Sequence, residues 1–447
     1  MNGGLRVLLA LVLTLVVGGV VAERLPGSLR RVERWAWAFA FGLLVQSALL
    51  LLAAAIGTGA GRAVLLGGDL LLLLAGAFLW RRRSSVSGRE AGRRGAANLL
   101  LGLALLAWLV SFVASMSEPM WSTDFLAIWG LKGKIIFSTG GLPGRLFHDP
   151  ALYWGHREYP LLLSLSLAAL AAIAGEWNDA SLALLFPAAE LATLLALYGF
   201  LARRVSRVAG GVAALLTALC FRLYDPVNAG TAETIFALGA VLAASAFFDL
   251  RDRNTWAARM RLAAAALFCA AAKQEGTLWV VLLAILYLLG KGLHELHRDN
   301  GKALVALLLP PGAHWLLLYV LRGPQARREY DFHYFLPRRW PELLSRFESV
   351  AGRILTTEAQ EAAIPLAAIV LFLLLTPRAA TDSLLLVLLA QVLCYWVAFS
   401  VSSFDPIYAV DAAFRRLALT LFPTLALVLG GRLSPPAFTD APVADRV

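Results

Sequence analysis

Residues 81–114, RRRSSVSGREAGRRGAANLLLGLALLAWLVSFVA, decide the class of fold. The first part is a basic linker rich in Ser and Gly. The second part, 96–114, runs for nineteen residues without a charge. A helix needs about 20 mostly apolar residues to cross a bilayer, with a range of about 17–25. An uncharged run of that length beside a cluster of arginines therefore reads as a membrane span with a cytoplasmic anchor. The same alternation recurs along the chain. Of its 447 residues, 60% are hydrophobic and only 15% are charged, against about 25% charged in a soluble domain. This excludes a soluble enzyme, a disordered chain, a disulfide-rich secreted domain and a coiled coil. What remains is an all-α polytopic membrane protein.

Thirteen candidate spans can be read: 5–22, 35–56, 62–80, 96–114, 180–201, 209–222, 231–249, 261–272, 276–290, 302–321, 362–376, 383–400 and 414–430. The first lacks a small-residue cleavage site and is followed by Glu23-Arg24, so it reads as a retained helix. Basic loops then set the orientation. Arg81 to Arg94, Arg203 to Arg207, Arg251 to Arg261 and Lys291 to Lys302 all belong in the cytoplasm. Between the first two of these loops lie three apolar runs, and an odd number of crossings cannot join two loops on one side. The weakest run, 160–174, is therefore expected to lie in the outer interface or to re-enter from outside without crossing. The long loops 115–179 and 322–361 then fall on the outer face, together with 223–230, 273–275 and 401–416. Within the second long loop, Leu343, Leu344, Phe347, Val350 and Ile354 form one helical stripe, which predicts an amphipathic surface helix over 341–355. Three organisational units follow: residues 1–95 as an extra N-terminal block of three spans, 96–430 as the main bundle, and 431–447 as a disordered cytoplasmic tail.

The net charge of +11 suits cytoplasmic loops and lipid headgroups, with no nucleic-acid partner expected. Cys220, Cys269 and Cys394 sit in apolar runs without the spacing of a disulfide or zinc framework. Charged residues near a bilayer need a reason, and the informative ones gather on the outer face. In EPMWSTDFLAIWGLKGK (118–134), Asp124 heads a stretch bearing Trp129, Lys132 and Lys134. Helix capping by Ser122, Thr123 or Asp124 competes there with a chemical role for Asp124. HDPALYWGHREYPLL (148–162) holds His148, Asp149, His156, Arg157, Glu158 and Tyr159, a weak metal-ligand pattern that keeps a divalent metal as a candidate cofactor. YDPVNAGTAE (224–233) offers Asp225, Asn228 and Glu233, with a turn and a helix cap as the plain account. Lys273, Gln274 and Glu275 interrupt a tight apolar hairpin, either as a self-neutralising pair or as part of a site. Arg415 and Arg416 stand at the outer end of the last span, against the positive-inside bias, and a lipid phosphate would account for them. Two acids lie deeper. Asp69 is expected to serve helix packing, and Glu190 sits near the middle of its span.

The order of these elements resembles the GT-C superfamily of membrane glycosyltransferases, in particular bacterial members similar to protein O-mannosyltransferases and the lipid A aminoarabinose transferase. The resemblance covers residues 96–430. It rests on an early loop Asp (Asp124) before Trp129-Gly130 and Lys132, a Gly140-Gly141-Leu142 turn, and Glu158-Tyr159-Pro160-Leu161-Leu162 opening a short apolar helix. Ala202-Arg203-Arg204, Gly230 to Glu233, Lys273 to Gly276, and a late Arg before Phe422-Pro423 complete it. The resemblance implies a GT-C-like bundle in the cytoplasmic membrane with its active face outward. It also implies a polyprenyl-phosphate sugar donor, a lipid, glycan or protein acceptor, and Asp124 as the general base. Lys132, Glu158, Tyr159, Glu233, Lys273, Glu275, Arg415 and Arg416 become candidate substrate-binding residues, with Lys273 and the two arginines taking the phosphate. The chain departs from many relatives in two places. Phe125 follows Asp124 where a second acid is common, and Leu185-Phe186-Pro187 replaces Arg-Leu-Pro. The sugar, the acceptor class and any metal requirement stay open. A transporter or flippase of lipid-linked saccharides is the alternative. It would place its polar site at the bilayer midplane between related halves.

Overall fold

The computed structural model describes residues 2–432 with breaks at 25–28, 57–60, 81–93, 118–119, 121, 150–151, 153–155, 157, 225–229, 292–297, 323–329 and 359–378. The 81–93 linker, Arg157, Asp225, Asn228, the expected span 362–376 and the tail from 433 therefore lie outside the described residues. The rest is helical, and an isolated bridge between Tyr330 and Ser402 is the extended pairing among the described residues. Fifteen helices carry the architecture: α1 (Gly3–Ala22), α2 (Arg31–Ile56), α3 (Gly61–Trp80), α4 (Arg94–Ser117), α5 (Gly130–Thr139), α6 (Leu162–Ala174), α7 (Leu185–Arg204) and α8 (Arg207–Tyr224), then α9 (Glu233–Asp252), α10 (Trp256–Ala272), α11 (Gln274–Lys291), α12 (Arg298–Arg322), α13 (Trp340–Arg353), α14 (Ala379–Ser400) and α15 (Pro406–Arg432). Among the described residues, seven helices are long and apolar enough to cross a membrane. This is a multi-pass membrane protein by length and composition.

Helix α9 forms the centre, with 94% of its apolar window buried, while α4 and α12, at 17%, line the outside. The α9 sequence ETIFALGAVLAASAFF explains its place, because Ala, Gly and Ser let neighbouring backbones approach closely without lipid between them. The N-terminal spans use the same device. A Cβ on Gly18 would fall 1.8 Å from the carbonyl oxygen of Ala38, and one on Gly42 would fall 2.1 Å from that of Thr14, so α1 and α2 cross backbone to backbone. These spans also pack on the main bundle, since α2 runs along α7 and both α1 and α2 touch α6.

The helix ends sort into two groups. At one end Arg203 makes a two-pronged contact with Glu33 (3.0 and 3.1 Å) and a second with Asp249 (2.9 and 3.1 Å). Arg204 and Arg261 each reach Asp249 at 3.3 Å, and Arg204 also pairs with Asp252. Arg251 bonds Ser383 nearby. These are the helix ends that the basic loops assign to one side. The opposite end gathers Arg6 with Glu176, Arg62 beside Gly175, and Asp124 with Arg416.

Two expectations about the second end are refined. Run 160–174 is the thirteen-residue helix α6, about 20 Å long, too short for a hydrocarbon core of about 30 Å. Both of its ends adjoin the second group, through Ser164 on Trp129 and Gly175 on Arg62. It is buried along nearly its whole length, packed against α1, α2, α3 and α5. Surface helix α13 occurs where the stripe predicts it, but the stripe divides. Leu343 and Val350 are buried against the α14–α15 hairpin, whereas Leu344 is 65% exposed. Arg346, expected off the stripe, donates to the carbonyls of Ser400, Ser402 and Phe404 at 2.6–2.9 Å, and Arg353 grips Asp411 with two nitrogens. Helix α13 thereby fastens the N-terminal end of α15.

Candidate functional site

The segment before α5 positions Asp124. Ser122 caps this turn, with its Oγ accepting from the Phe125 N–H at 3.1 Å and its carbonyl from the Leu126 N–H at 3.0 Å. A wide π-type turn over Phe125–Trp129 follows, anchored by the buried side chains of Phe125, Ile128 and Trp129. Such wide turns cost regular hydrogen bonding and concentrate at functional sites. Asp124 makes no capping bond, so the capping account of this residue belongs to Ser122 instead. Its Oδ2 accepts from Arg416 Nη1 at 2.5 Å, and its Oδ1 accepts no hydrogen bond from a described residue.

From this pair a chain of charges runs across the ends of three further helices. Arg416 Nη1 lies 3.7 Å from Glu233 Oε1, and Glu233 accepts from Lys273 Nζ at 2.8 Å. Lys273 Nζ lies 3.3 Å from Glu275. The hairpin between α10 and α11 places Lys273, because a Cβ on Gly276 would fall 1.9 Å from the Cys269 carbonyl oxygen. Glycine permits that approach, and extended Lys273 then turns its side chain towards α9. Gln391 of α14 donates to the Glu275 carbonyl (3.3 Å) and to the Tyr395 hydroxyl (2.9 Å). Three carboxylates against two cations leave this ladder with a formal charge of −1. Asp124 and Arg416 are each 30% exposed at the side chain, while Glu233 is buried at 3%. The ladder is thus open at the Asp124–Arg416 end, buried at Glu233, and partly open again at Glu275, 23% exposed.

A second group stands beside the first. The buried Lys132 donates to the His156 carbonyl at 2.6 Å, and its ammonium lies 5.7 and 5.9 Å from the ring centres of Trp129 and Tyr159. Tyr159 stacks on Trp129 and on His156, at 5.5 and 4.6 Å between centroids. His156 adopts φ +46°, an uncommon conformation for a residue with a Cβ, and its Nδ1 meets Glu158 Oε1 at 3.1 Å. Burial pushes the Glu158 carboxyl up. The hydrogen bond from His156 and the fields of His156 and Lys132 outweigh that and hold it below the usual carboxylate range. Tyr159 is within electrostatic reach of the Arg416 guanidinium, which joins the two groups.

The structure thus brings Asp124, Glu233, Lys273, Glu275 and Arg416 together, and sets Lys132, Glu158 and Tyr159 alongside. Arg415 is exposed, on another face of α15 from Arg416. Lys273 is held between two carboxylates, Glu233 at 2.8 Å and Glu275 at 3.3 Å. Gln391 and Tyr395 were not among the expected residues, and Ser122 was expected only as one of three capping candidates. Asp69 is buried in α3 beside Gln46, which accepts from Thr14 at 2.9 Å, in keeping with packing, and Glu190 is fully buried in α7. Among the described residues, no group of three or more His, Cys, Asp or Glu is placed to hold a metal ion.

Fold and site together define an all-helical protein of the multi-pass membrane type, with a ladder of alternating charges at one end of its bundle. No protein-family model, no curated protein and no solved structure matches this chain.

Proposed function

We infer that this protein is a GT-C-type membrane glycosyltransferase, which moves a sugar from a polyprenyl-phosphate donor to an acceptor at the outer face of the cytoplasmic membrane. The observation that carries the reading is the Asp124–Arg416 pair, a carboxylate with one oxygen unengaged beside a half-exposed guanidinium. Glycosyl transfer needs both groups at one place. The carboxylate takes the proton from an acceptor hydroxyl as its oxygen attacks the anomeric carbon. The guanidinium meets the phosphate that leaves, whose oxygens its planar fork suits. Glu233, itself held by Lys273, lies behind Arg416 at 3.7 Å, and the stacked Tyr159 and His156 offer an aromatic face beside it. The thirteen-span count belongs to the same reading. The ladder's position at helix ends supports surface chemistry over carriage through the midplane.

The test is turnover of a polyprenyl-phosphate sugar by purified protein, with cell-envelope glycans from strains with and without it compared by mass spectrometry to identify the product. Asp124→Asn keeps the side chain's size but will not accept the proton. Transfer is expected to fall on the order of 10²–10⁴-fold, with the protein still folded in the membrane. Full activity in that variant would refute the role of Asp124, and flipping of the lipid-linked sugar without turnover would replace the enzyme by a transporter.

A further inference from the structure

The glycosyltransferase reading treats Arg416 as a phosphate ligand, yet in this structure the same guanidinium nitrogen is already engaged by the base. Resting on that reading, we propose that Arg416 exchanges partners during the reaction, held by Asp124 in the empty site and drawn to the donor phosphate when it arrives.

Three features of the geometry support an exchange over a fixed pair. The Asp124 contact uses a single nitrogen, Nη1, whereas Nε and Nη2 both return to the Ala412 carbonyl one turn earlier in α15, at 3.2 and 3.0 Å. The guanidinium is thus tethered to its own helix by two nitrogens, and its Nη1 edge is left for one anion at a time. Glu233 does not hold it firmly, since its nearer partner is Lys273 at 2.8 Å and Arg416 lies at 3.7 Å. Finally, both members of the pair are 30% exposed, so an incoming anion reaches them.

The charge balance of the reaction gives the exchange its direction. A polyprenyl-phosphate sugar is a phosphodiester with one negative charge. In the transfer, the acceptor oxygen forms a bond to the anomeric carbon and the bond from that carbon to the phosphate oxygen breaks. The electron pair of the broken bond stays on the phosphate. The acceptor proton passes to Asp124. The leaving phosphate becomes a monoester of about −1.5 to −2, while Asp124 goes from charged to neutral. Net charge in the site is conserved, but it moves from the carboxylate to the phosphate. A cation that can contact either group follows the charge. Arg416 also engages Asp124 Oδ2 while no donor is bound, so that oxygen is released when the leaving group is in place.

If Asp124 and the phosphate compete for one guanidinium, then removing the acid's charge must tighten phosphate binding. The probe is farnesyl phosphate, which has the headgroup and a short prenyl chain but no sugar. Its binding is measured by calorimetry on the full-length protein in detergent, with donor turnover assayed in parallel. Asp124→Asn is expected to bind farnesyl phosphate about two- to fivefold more tightly than wild type, the scale of one partly exposed ion pair. Arg416→Gln is expected to bind at least about tenfold more weakly, and adding Asp124→Asn to it should bring no tightening. Asp124→Ser carries the same expectation should the Asn variant fail to fold. Inorganic phosphate, tested likewise, separates a headgroup effect from one that needs the prenyl chain, and either form of tightening supports the exchange. Turnover by wild type with unchanged or weaker binding in Asp124→Asn would overturn the exchange alone. Neither binding nor turnover in wild type would overturn the transferase reading and the exchange with it.

Discussion

Replacing Arg203 by Met should unfold the end of the bundle opposite the candidate site, and the structure sets the size of the effect. Arg203 is the centre of a cluster in which Glu33 is 1% exposed and Asp249 has a side chain only 9% exposed. Breaking a buried pair by removing one partner costs about 3–5 kcal/mol, chiefly because the other charge is left without compensation. Asp249 keeps Arg204 and Arg261 at 3.3 Å each, so its loss is small. Glu33 loses both of its contacts with Arg203, at 3.0 and 3.1 Å. The expected cost is therefore that of one orphaned carboxylate, about 3–5 kcal/mol rather than twice that. Adding Glu33→Gln should recover about 2 kcal/mol of it, because a buried amide short of partners costs only about 1–3 kcal/mol. Reversible unfolding in mixed detergent and SDS, run on wild type, both single variants and the double variant, measures the cycle. A loss below about 1 kcal/mol in Arg203→Met, or no recovery in the double variant, would refute the view that this cluster clips α2 to the bundle.

Three further outcomes are expected. Ser122→Ala removes the cap of the wide turn and should cost about 1 kcal/mol; it should also lower turnover by loosening Asp124, whereas Ser122→Asn restores both, as melting and kinetics together would show. The Glu158 carboxyl is held below its ordinary range, so its stabilisation is complete above that range and is lost as pH falls through the depressed value. Glu158→Gln should then lower the melting temperature near neutrality and flatten its fall in acid, and parallel melting curves across pH would contradict this. Gly42→Val puts a side chain where a Cβ already falls 2.1 Å from the Thr14 carbonyl oxygen; it should separate α1 from α2 and lower the melting temperature, while the same change at Gly67, with nothing within 4 Å, should be tolerated.

Much of the fold was legible because the bilayer restricts what a sequence can do. Uncharged runs mark helices, and the shortness of run 160–174 already sets α6, at thirteen residues, apart from the longer helices. The stripe over 341–355 located α13 for the same reason, since one apolar face needs one apolar surface. The partners were not legible. Asp124 and Arg416 are 292 residues apart, and Glu33 and Arg203 are 170 apart. Hydropathy carries no information about which loop meets which. Gln391 and Tyr395 share a helix face at a spacing of four, but inside an apolar helix that spacing does not say whether the face meets lipid, another helix or a site. Lys273 was legible as unusual for its place. Its role was not, because a lysine between two acids and a lysine awaiting a phosphate look alike until the neighbours are known.

The ladder also bears on the order in which the protein comes into being. Chains are made from the N-terminus, and early segments settle before late ones exist. Asp124, Glu233, Lys273 and Glu275 are all synthesised before Arg416. Until α15 is inserted, the half-built bundle holds three acids and one base, a charge of −2, with Asp124 lacking its partner. Helix α15 thus brings the cation that completes the ladder, so a ribosome stalled ahead of it leaves a nascent chain whose carboxylates still lack Arg416.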